Sequence, residues 1–173
     1  MMQVEPGRNQ LKTFSLNGGP IRTMGGLTIV PDMGLADVSA SDAAMLILPG
    51  GRSWESDGNK KAAQRAGEFH ATGIPVAAIC GATLGLALAG VLDSVEHTSN
   101  SKEYILMSDY AGGDNYRDAL AVSDKGVITA PGTGSLEFSR EVFKVLGLYT
   151  DSVLKAWYRL FKTGEPEAFA ELM

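Results

Sequence analysis

The sequence contains one cysteine and two histidines among 173 residues, and this scarcity excludes several kinds of site. A single cysteine cannot form an intrachain disulfide or a cysteine-based zinc site. The sequence also has no metal-ligand cluster, dinucleotide fingerprint or phosphate-binding loop, so we predict no metal and no cofactor. A single thiol suits a reducing compartment, and we therefore expect a cytoplasmic protein.

Positive charge is scarce as well. Fifteen Lys and Arg residues face 20 Asp and Glu residues, which gives a net charge of −5. No basic run or stripe occurs, and nucleic-acid binders usually have one. We therefore predict that nucleic acid is not a partner.

One long stretch, residues 74–92, has no charged side chain and is about long enough to cross a bilayer. It contains Pro75 and three glycines, and its first half is β-like whereas its second half is α-like. A buried strand followed by a core helix explains this pattern better than a membrane span. The sequence therefore predicts no membrane partner.

The length and the alternation of patterns predict the fold class. A chain of this size can bury a substantial core, so we predict one domain over residues 1–173. Strands alternate with helices, which predicts a three-layer α/β/α sandwich around a mostly parallel, flavodoxin-like sheet with a β-hairpin. The predicted strands are 12–16, 21–24, 27–30, 43–48, 74–79, 119–123 and 126–130, and the predicted helices are 59–71, the residues from Cys80 to about 90, 135–146 and 151–162.

Cys80 lies at the predicted turn between the strand and the helix of the uncharged stretch. Ala78 and Ala82, two positions before and after it, are small. A nucleophile elbow requires small residues at these positions because its turn is tight. The helix N-terminus would favour the thiolate form. Cys80 is therefore a candidate nucleophile or redox sensor, and the alternative is a cysteine packed as a small apolar residue.

Several short motifs occur in a fixed order along the chain. They are Gly25-Gly26, Pro31-Asp32, Leu48-Pro49-Gly50-Gly51, Ala77-Ala78-Ile79-Cys80-Gly81, His97-Thr98-Ser99-Asn100, the run from Asp124 to Ala130, Gly132-Thr133 and Glu137-Phe138. In this combination the chain resembles the DJ/PfpI superfamily, with its class I glutamine-amidotransferase-like fold, from about Lys12 onward. The resemblance implies that Cys80 is the reactive cysteine.

The resemblance also implies an oxyanion site at two backbone N–H groups, those of Gly51 and Gly81. Charge that develops on an attacked carbonyl needs such preorganised donors. Gly50 and Gly51 equally fit a tight turn after a strand, and one turn can serve both purposes.

Two further residues match family positions. His97 matches a histidine near the cysteine in some members, so a proton shuttle and a purely structural loop residue both remain open. Glu55 matches an acid that some relatives present across a subunit interface, and its alternative is a solvated loop carboxylate. The other histidine, His70, is expected to be a solvated residue at the end of a helix.

The chain departs from the family at its N-terminus. The first strand and helix of the family are predicted to be missing, together with a glutamate that acts on the cysteine, and Glu5 is not expected to replace it. Because the missing strand would lie inside the sheet, its absence would expose an unpaired strand edge. We therefore expect a chain that is poorly stable alone or that forms a homodimer.

A second departure concerns histidine. Gly81 stands where protease-like members have a histidine, which makes peptidase activity less favoured. No histidine follows His97, so the chain lacks the late His-x-Glu pair of a glutamine amidotransferase, and that activity is excluded.

The sequence leaves three functions open. We predict a cysteine-dependent enzyme, a hydrolase or lyase, that acts on a small-molecule electrophile in a glyoxalase-like, amidase-like or hydratase-like reaction. The alternatives are a non-enzymatic stress-response protein that senses oxidants through Cys80, and an inactive scaffold.

Overall fold

The fold is seen in a computed structural model that describes residues 10–172, apart from the side chain of residue 57. In chain order the strands within those residues are β1 (Phe14–Ser15), β2 (Ile21–Arg22), β3 (Thr28–Ile29), β4 (Met33–Gly34), β5 (Leu46–Leu48), β6 (Val76–Ile79), β7 (Val122–Asp124) and β8 (Val127–Ala130). The α-helices are α1 (Lys60–Ala71), α2 (Ala82–Leu88), α3 (Lys102–Ile105), α4 (Ser135–Val145) and α5 (Asp151–Thr163).

Four strands form the central sheet, in the order β5-β6-β8-β7. The strands β5, β6 and β8 are parallel, and β7 is antiparallel to β8. All four residues of β8 are buried, as expected for a strand covered on both faces. The mostly parallel sheet predicted from the sequence is therefore confirmed.

Helices cover both faces of this sheet. Alternate strand residues point to opposite faces, so Leu48, Val76 and Ala78 pack in one core with residues of α1 and α2. Ala77 and Ile128 pack in a second core with residues of α4. This is the predicted three-layer α/β/α sandwich.

The helices agree with the predicted patterns except near their C-terminal ends. The residues of α1 predicted to face inward are all buried, namely Ala62, Ala63, Ala66 and Phe69. In α4, Phe138 and Val142 are buried, but Val145 is the last helical residue and is 40% exposed. In α5, Leu154 is buried and Phe161 is 58% exposed. The buried stripes of α4 and α5 are thus shorter than predicted.

The N-terminal strands form two small pairs outside the central sheet. The strands β2 and β3 make the predicted antiparallel hairpin, with Gly26 at a left-handed φ of 86°. The strands β1 and β4 pair in parallel over two residues each. Within residues 10–172, β5 pairs only with β6, so its other edge carries no strand. Ile47, the middle residue of β5, is 36% exposed.

The uncharged stretch 74–92 contains strand β6 and helix α2, as predicted. In the described part of the chain, no helix combines the length and the apolar character that a membrane span requires.

Candidate active site

Cys80 occupies the turn between β6 and α2. Its N–H donates a 2.9 Å hydrogen bond to the carbonyl of Ala130 on β8. Its carbonyl accepts a 2.7 Å hydrogen bond from the hydroxyl of Thr83 in α2. The backbone of Cys80 is left-handed, with a φ of 59°, and this conformation is unusual for a residue with a side chain. The thiol is free and the residue is partly exposed.

Two glycines allow neighbouring loops to approach the cysteine closely. A Cβ atom on Gly50, after β5, would lie 2.7 Å from the Cβ of Cys80. A Cβ atom on Gly132, after β8, would lie 3.3 Å from the sulfur. The loops after three adjacent parallel strands therefore meet at Cys80, at the carboxyl ends of the strands, where open α/β sheets bind ligands.

A cavity of about 320 Å³ opens beside the cysteine. Five of the six residues predicted for the site line this cavity, together with six residues that were not predicted. The predicted residues in the lining are Gly50, Gly51, Glu55, Cys80 and Gly81, and the others are Met24, Arg52, Ile79, Asn100, Tyr104 and Gly132.

The backbone segments at Gly51 and Gly81 are in contact. A Cβ atom on Gly81 would lie 2.5 Å from the carbonyl oxygen of Gly51. Trp54 fixes the loop that carries Gly51, because its indole N–H donates a 2.9 Å hydrogen bond to the carbonyl of Pro49 and its side chain is buried. The structure therefore brings the two predicted oxyanion residues together in one cavity with Cys80.

Asn100 also contacts the sulfur. Its Nδ2 lies 3.6 Å from the Sγ of Cys80, and its Oδ1 accepts a 3.0 Å hydrogen bond from the N–H of Gly132. Both Asn100 and Gly132 belong to motifs that carry the family resemblance, and this was the available signal for them.

Tyr104 and Glu55 form a pair in the same cavity. The Tyr104 hydroxyl donates to Glu55 Oε1 over 3.4 Å. Burial, together with the negative charges of Glu55 and Cys80, raises the pKa of Tyr104 to about 12. The phenol therefore keeps its proton at neutral pH and acts as a donor. No pattern in the sequence points to Tyr104, since its helix α3 has only four residues.

His97 is not among the residues that line the cavity. Its side chain is fully buried, with Nδ1 2.8 Å from the carbonyl of Val95 and Nε2 2.9 Å from the hydroxyl of Tyr110. Burial lowers the pKa of His97. The structure thus gives His97 a role in holding its loop, and its role as a proton shuttle stays a prediction.

Three other sequence predictions concern residues away from the cavity. His70 is partly buried at the end of α1. Glu5 lies outside the described residues. Within residues 10–172, no group of three or more His, Cys, Asp or Glu side chains is placed to hold a metal ion.

The chain is similar to several known proteins. It is 42% identical over 163 residues to a Bacillus subtilis (strain 168) protein named uncharacterized protease YoaZ. The match covers 93% of this chain and 78% of that protein. Its fold matches the crystal structure of a thiJ/pfpI family protein from Bacillus anthracis with a TM-score of 0.88 and 42% identity, over 92% of this chain and 76% of that one.

A DJ-1 superfamily protein from Agrobacterium tumefaciens is also similar, with a TM-score of 0.78 and 34% identity over 87% of this chain and 81% of that one. The sequence profile of the DJ-1/PfpI family matches residues 4–145. The fold and the order of the motifs agree with this match, and the chain belongs to the DJ-1/PfpI family.

Proposed function

We propose that the chain is a cysteine-dependent enzyme that acts on a small electrophile, with Cys80 as the nucleophile. The observation that carries the proposal is the partly exposed thiol of Cys80, on a left-handed turn between strand and helix, inside a cavity of about 320 Å³. In this proposal the turn acts as a nucleophile elbow, which presents the sulfur to a substrate. Membership of the DJ-1/PfpI family supports it.

The proposed first step is an addition to a carbonyl carbon. The thiolate sulfur of Cys80 forms a bond to this carbon, and the π electrons of the C=O bond move to the oxygen. The backbone N–H groups of Gly51 and Gly81 stabilise the resulting oxyanion. Water supplies the proton of this oxyanion. With a small amide, the C–N bond then breaks, ammonia leaves with a proton taken from water, and a thioester remains on Cys80. A second water, whose proton the carboxylate of Glu55 held by Tyr104 can accept, attacks the thioester carbon and displaces the sulfur as a thiolate.

The substrate class follows from the size and chemistry of the cavity. A volume of about 320 Å³ suits a small aldehyde, amide or nitrile. Glyoxalase-like, amidase-like and hydratase-like reactions all begin with attack by sulfur on such a carbon. The relative YoaZ is named as a protease. We do not propose peptide cleavage here, because Gly81 follows the cysteine and the residues that line the cavity include no histidine.

The second candidate function is the sensing of oxidants in a stress response. It is favoured by the partial exposure of the thiol and by the amide donor of Asn100 at 3.6 Å from the sulfur. Attack by the thiolate on hydrogen peroxide would form an S–O bond, break the O–O bond and release hydroxide, which leaves a sulfenic acid. An inactive scaffold is the third alternative.

The proposal extends to the assembly and location of the protein. We propose a homodimer, because one edge of β5 pairs with no strand within residues 10–172 and the apolar side chain of Ile47 is exposed, so a second copy can cover both. The single thiol agrees with a cytoplasmic location.

The test compares the wild-type protein with Cys80→Ser and Cys80→Ala variants. Loss of methylglyoxal, release of ammonia from small amides and hydration of small nitriles are followed at pH 7. We expect turnover of at least one substrate by the wild type and none by either variant. Oxidation of Cys80 without any turnover would favour the sensor, and labelling of the thiol only after unfolding would favour the scaffold. Cleavage of casein that depends on Cys80 would contradict the expectation that peptidase activity is less favoured than action on a small electrophile.

A further inference from the structure

The side-chain amide of Asn100 has a defined orientation at the cysteine. A backbone N–H group can only donate, so the 3.0 Å hydrogen bond from Gly132 identifies the amide atom that receives it as the oxygen. The NH2 group is therefore the end that lies 3.6 Å from the sulfur of Cys80. This distance is within the usual range for a hydrogen bond to sulfur, which is longer than a bond to oxygen.

Buried polar groups hold the loop that carries Asn100. Ser99 and Thr83 share a 2.7 Å hydrogen bond between their hydroxyls, and Thr83 also bonds to the carbonyl of Cys80. Thr98 is anchored on β8 through a 2.9 Å hydrogen bond from its N–H. These three side chains are at most 2% exposed. Asn100 is itself exposed, but the segment before it is fixed to the same turn that positions the sulfur.

An amide at this position has a specific chemical effect. Its N–H group stabilises a negative thiolate more than a neutral thiol, because hydrogen bonding to the charged form favours that form. A primary amide does not take up a proton near neutral pH, so it cannot remove the proton of the thiol as a base would. We propose that Asn100 is a positioning residue whose amide donates to the sulfur of Cys80, favours its thiolate form over its thiol form and directs the sulfur into the cavity.

This inference rests on the proposed function of Cys80 and narrows it. A site with a donor instead of a base at the sulfur suits substrates that react with a thiolate already formed. Aldehydes meet this condition, because the addition of a thiolate to an aldehyde expels no leaving group that an acid or base at the sulfur would have to serve.

The test uses the Asn100→Asp variant, which has nearly the same shape. The aspartate retains an acceptor for Gly132 but presents an oxygen instead of an NH2 group to the sulfur, so it repels the thiolate. Alkylation by iodoacetamide is measured from pH 5 to pH 10, and the single cysteine makes the signal specific. We expect alkylation at pH 7 to be about tenfold slower, with the midpoint of the pH profile about one unit higher. Asn100→Ala should shift the profile in the same direction by less.

The matched control is Asn115→Asp, which makes the same change of charge at a residue outside the cavity whose amide donates to the carbonyl of Asp93. Its alkylation profile should equal that of the wild type. If both Asn100 variants remain folded by circular dichroism and alkylate like the wild type, the role proposed for Asn100 is wrong, while the function proposed for Cys80 is unaffected. If the wild type alkylates only when unfolded, the function proposed for Cys80 is wrong. A shifted alkylation profile in the Asn100 variants, together with a wild type that turns over none of the substrates, would support the role proposed for Asn100 and contradict the enzymatic function proposed for Cys80.

Discussion

At the scale of single residues, Gly50 controls how closely the loop after β5 can approach the cysteine. A methyl group at this position would lie 2.7 Å from the Cβ of Cys80, well inside normal contact. We predict that Gly50→Ala displaces the thiol, slows alkylation of Cys80 by about tenfold or more and costs about 1–3 kcal/mol of stability. Iodoacetamide labelling followed by mass spectrometry measures the first effect, and urea denaturation measures the second.

Gly113→Ala is the matched control for this substitution. A Cβ atom on Gly113 would meet no atom within 4 Å, so labelling and stability should stay close to those of the wild type. Wild-type labelling in the Gly50 variant would show that the loop moves away without affecting the sulfur.

His97 makes the stability of the protein depend on pH. Burial lowers the pKa of His97 below its ordinary value of 6.5, so the unfolded chain takes up the proton first as the pH falls. The stabilisation is complete above about pH 6.5 and is lost toward lower pH. Arg117 acts in the same direction as burial, whereas Asp93 and the hydrogen bond to Val95 oppose it.

We therefore predict that the melting temperature falls between pH 7.5 and pH 5.5, and that His97→Gln removes much of this fall. The measurement is thermal unfolding by circular dichroism at constant ionic strength, with His70→Gln as the control that keeps the wild-type slope. If the melting temperature falls equally steeply with pH in the wild type and in His97→Gln, the pH dependence does not come from His97.

The residues of the cavity differ in how far the sequence could reveal them. Cys80 could be predicted because it lies directly after a buried strand, and the ends of parallel strands meet at one edge of a sheet. Gly50, Gly51 and Gly81 could be predicted because the motifs that contain them resemble those of the family. Asn100 reaches the cavity through a loop whose path depends on buried contacts with distant residues. Such pairings cannot be read from spacing along the chain. The family resemblance points to His97 in the same motif and assigns no role to Asn100.

At the scale of elements, a buried carboxylate joins α4 to α5. Glu137 is 5% exposed, and its Oε1 accepts a 2.6 Å hydrogen bond from Tyr158 and a 2.8 Å bond from Lys162. Burial opposes ionisation, but the hydrogen bonds from Lys162 and Tyr158, a backbone hydrogen bond and the positive charge of Lys162 together outweigh it, and the pKa of Glu137 is lowered. The pair of helices therefore depends on donors that reach this one oxygen.

We predict that Tyr158→Phe costs about 1.5 kcal/mol of stability, because it removes a donor to a buried charge. Urea denaturation at pH 7 measures this loss. Tyr149→Phe is the control, since Tyr149 contacts Phe143 through its ring and makes no side-chain hydrogen bond within the described residues. A loss of equal size in both variants would mean that the hydroxyl of Tyr158 contributes nothing specific.

The elements themselves were more predictable than their lengths. Each helix of ten or more residues was predicted within about one residue at its start, because its apolar face recurs with the helical period. The apolar run 43–48 predicted a strand, but only Leu46–Leu48 is one. A strand extends only as far as its partner does, and β5 pairs with three residues of β6. Composition does not contain that information.

At the scale of the whole molecule, we propose that two copies associate through the edge of β5 that carries no strand in the described part of the chain. A lysine on an edge strand disfavours pairing with another chain. We predict that the wild type is a dimer in sedimentation velocity and that Ile47→Lys shifts it toward monomer. Val145→Lys places the same charge at a comparably exposed residue of α4 and should leave the dimer intact. A wild type that stays monomeric at high concentration would contradict the proposed association.

The separation of the N-terminal strand pairs from the central sheet has a consequence for hydrogen exchange. The hairpin β2–β3 consists of two exposed two-residue strands, so its amides should open and exchange at a small fraction of the global unfolding free energy. The amides of β6 and β8 should exchange last. Met24, at the hairpin, lines the same cavity as Cys80. The part of the cavity lining that Met24 supplies can therefore open and reform while the turn that holds the sulfur stays folded, which would give substrates a route in without any movement of the core.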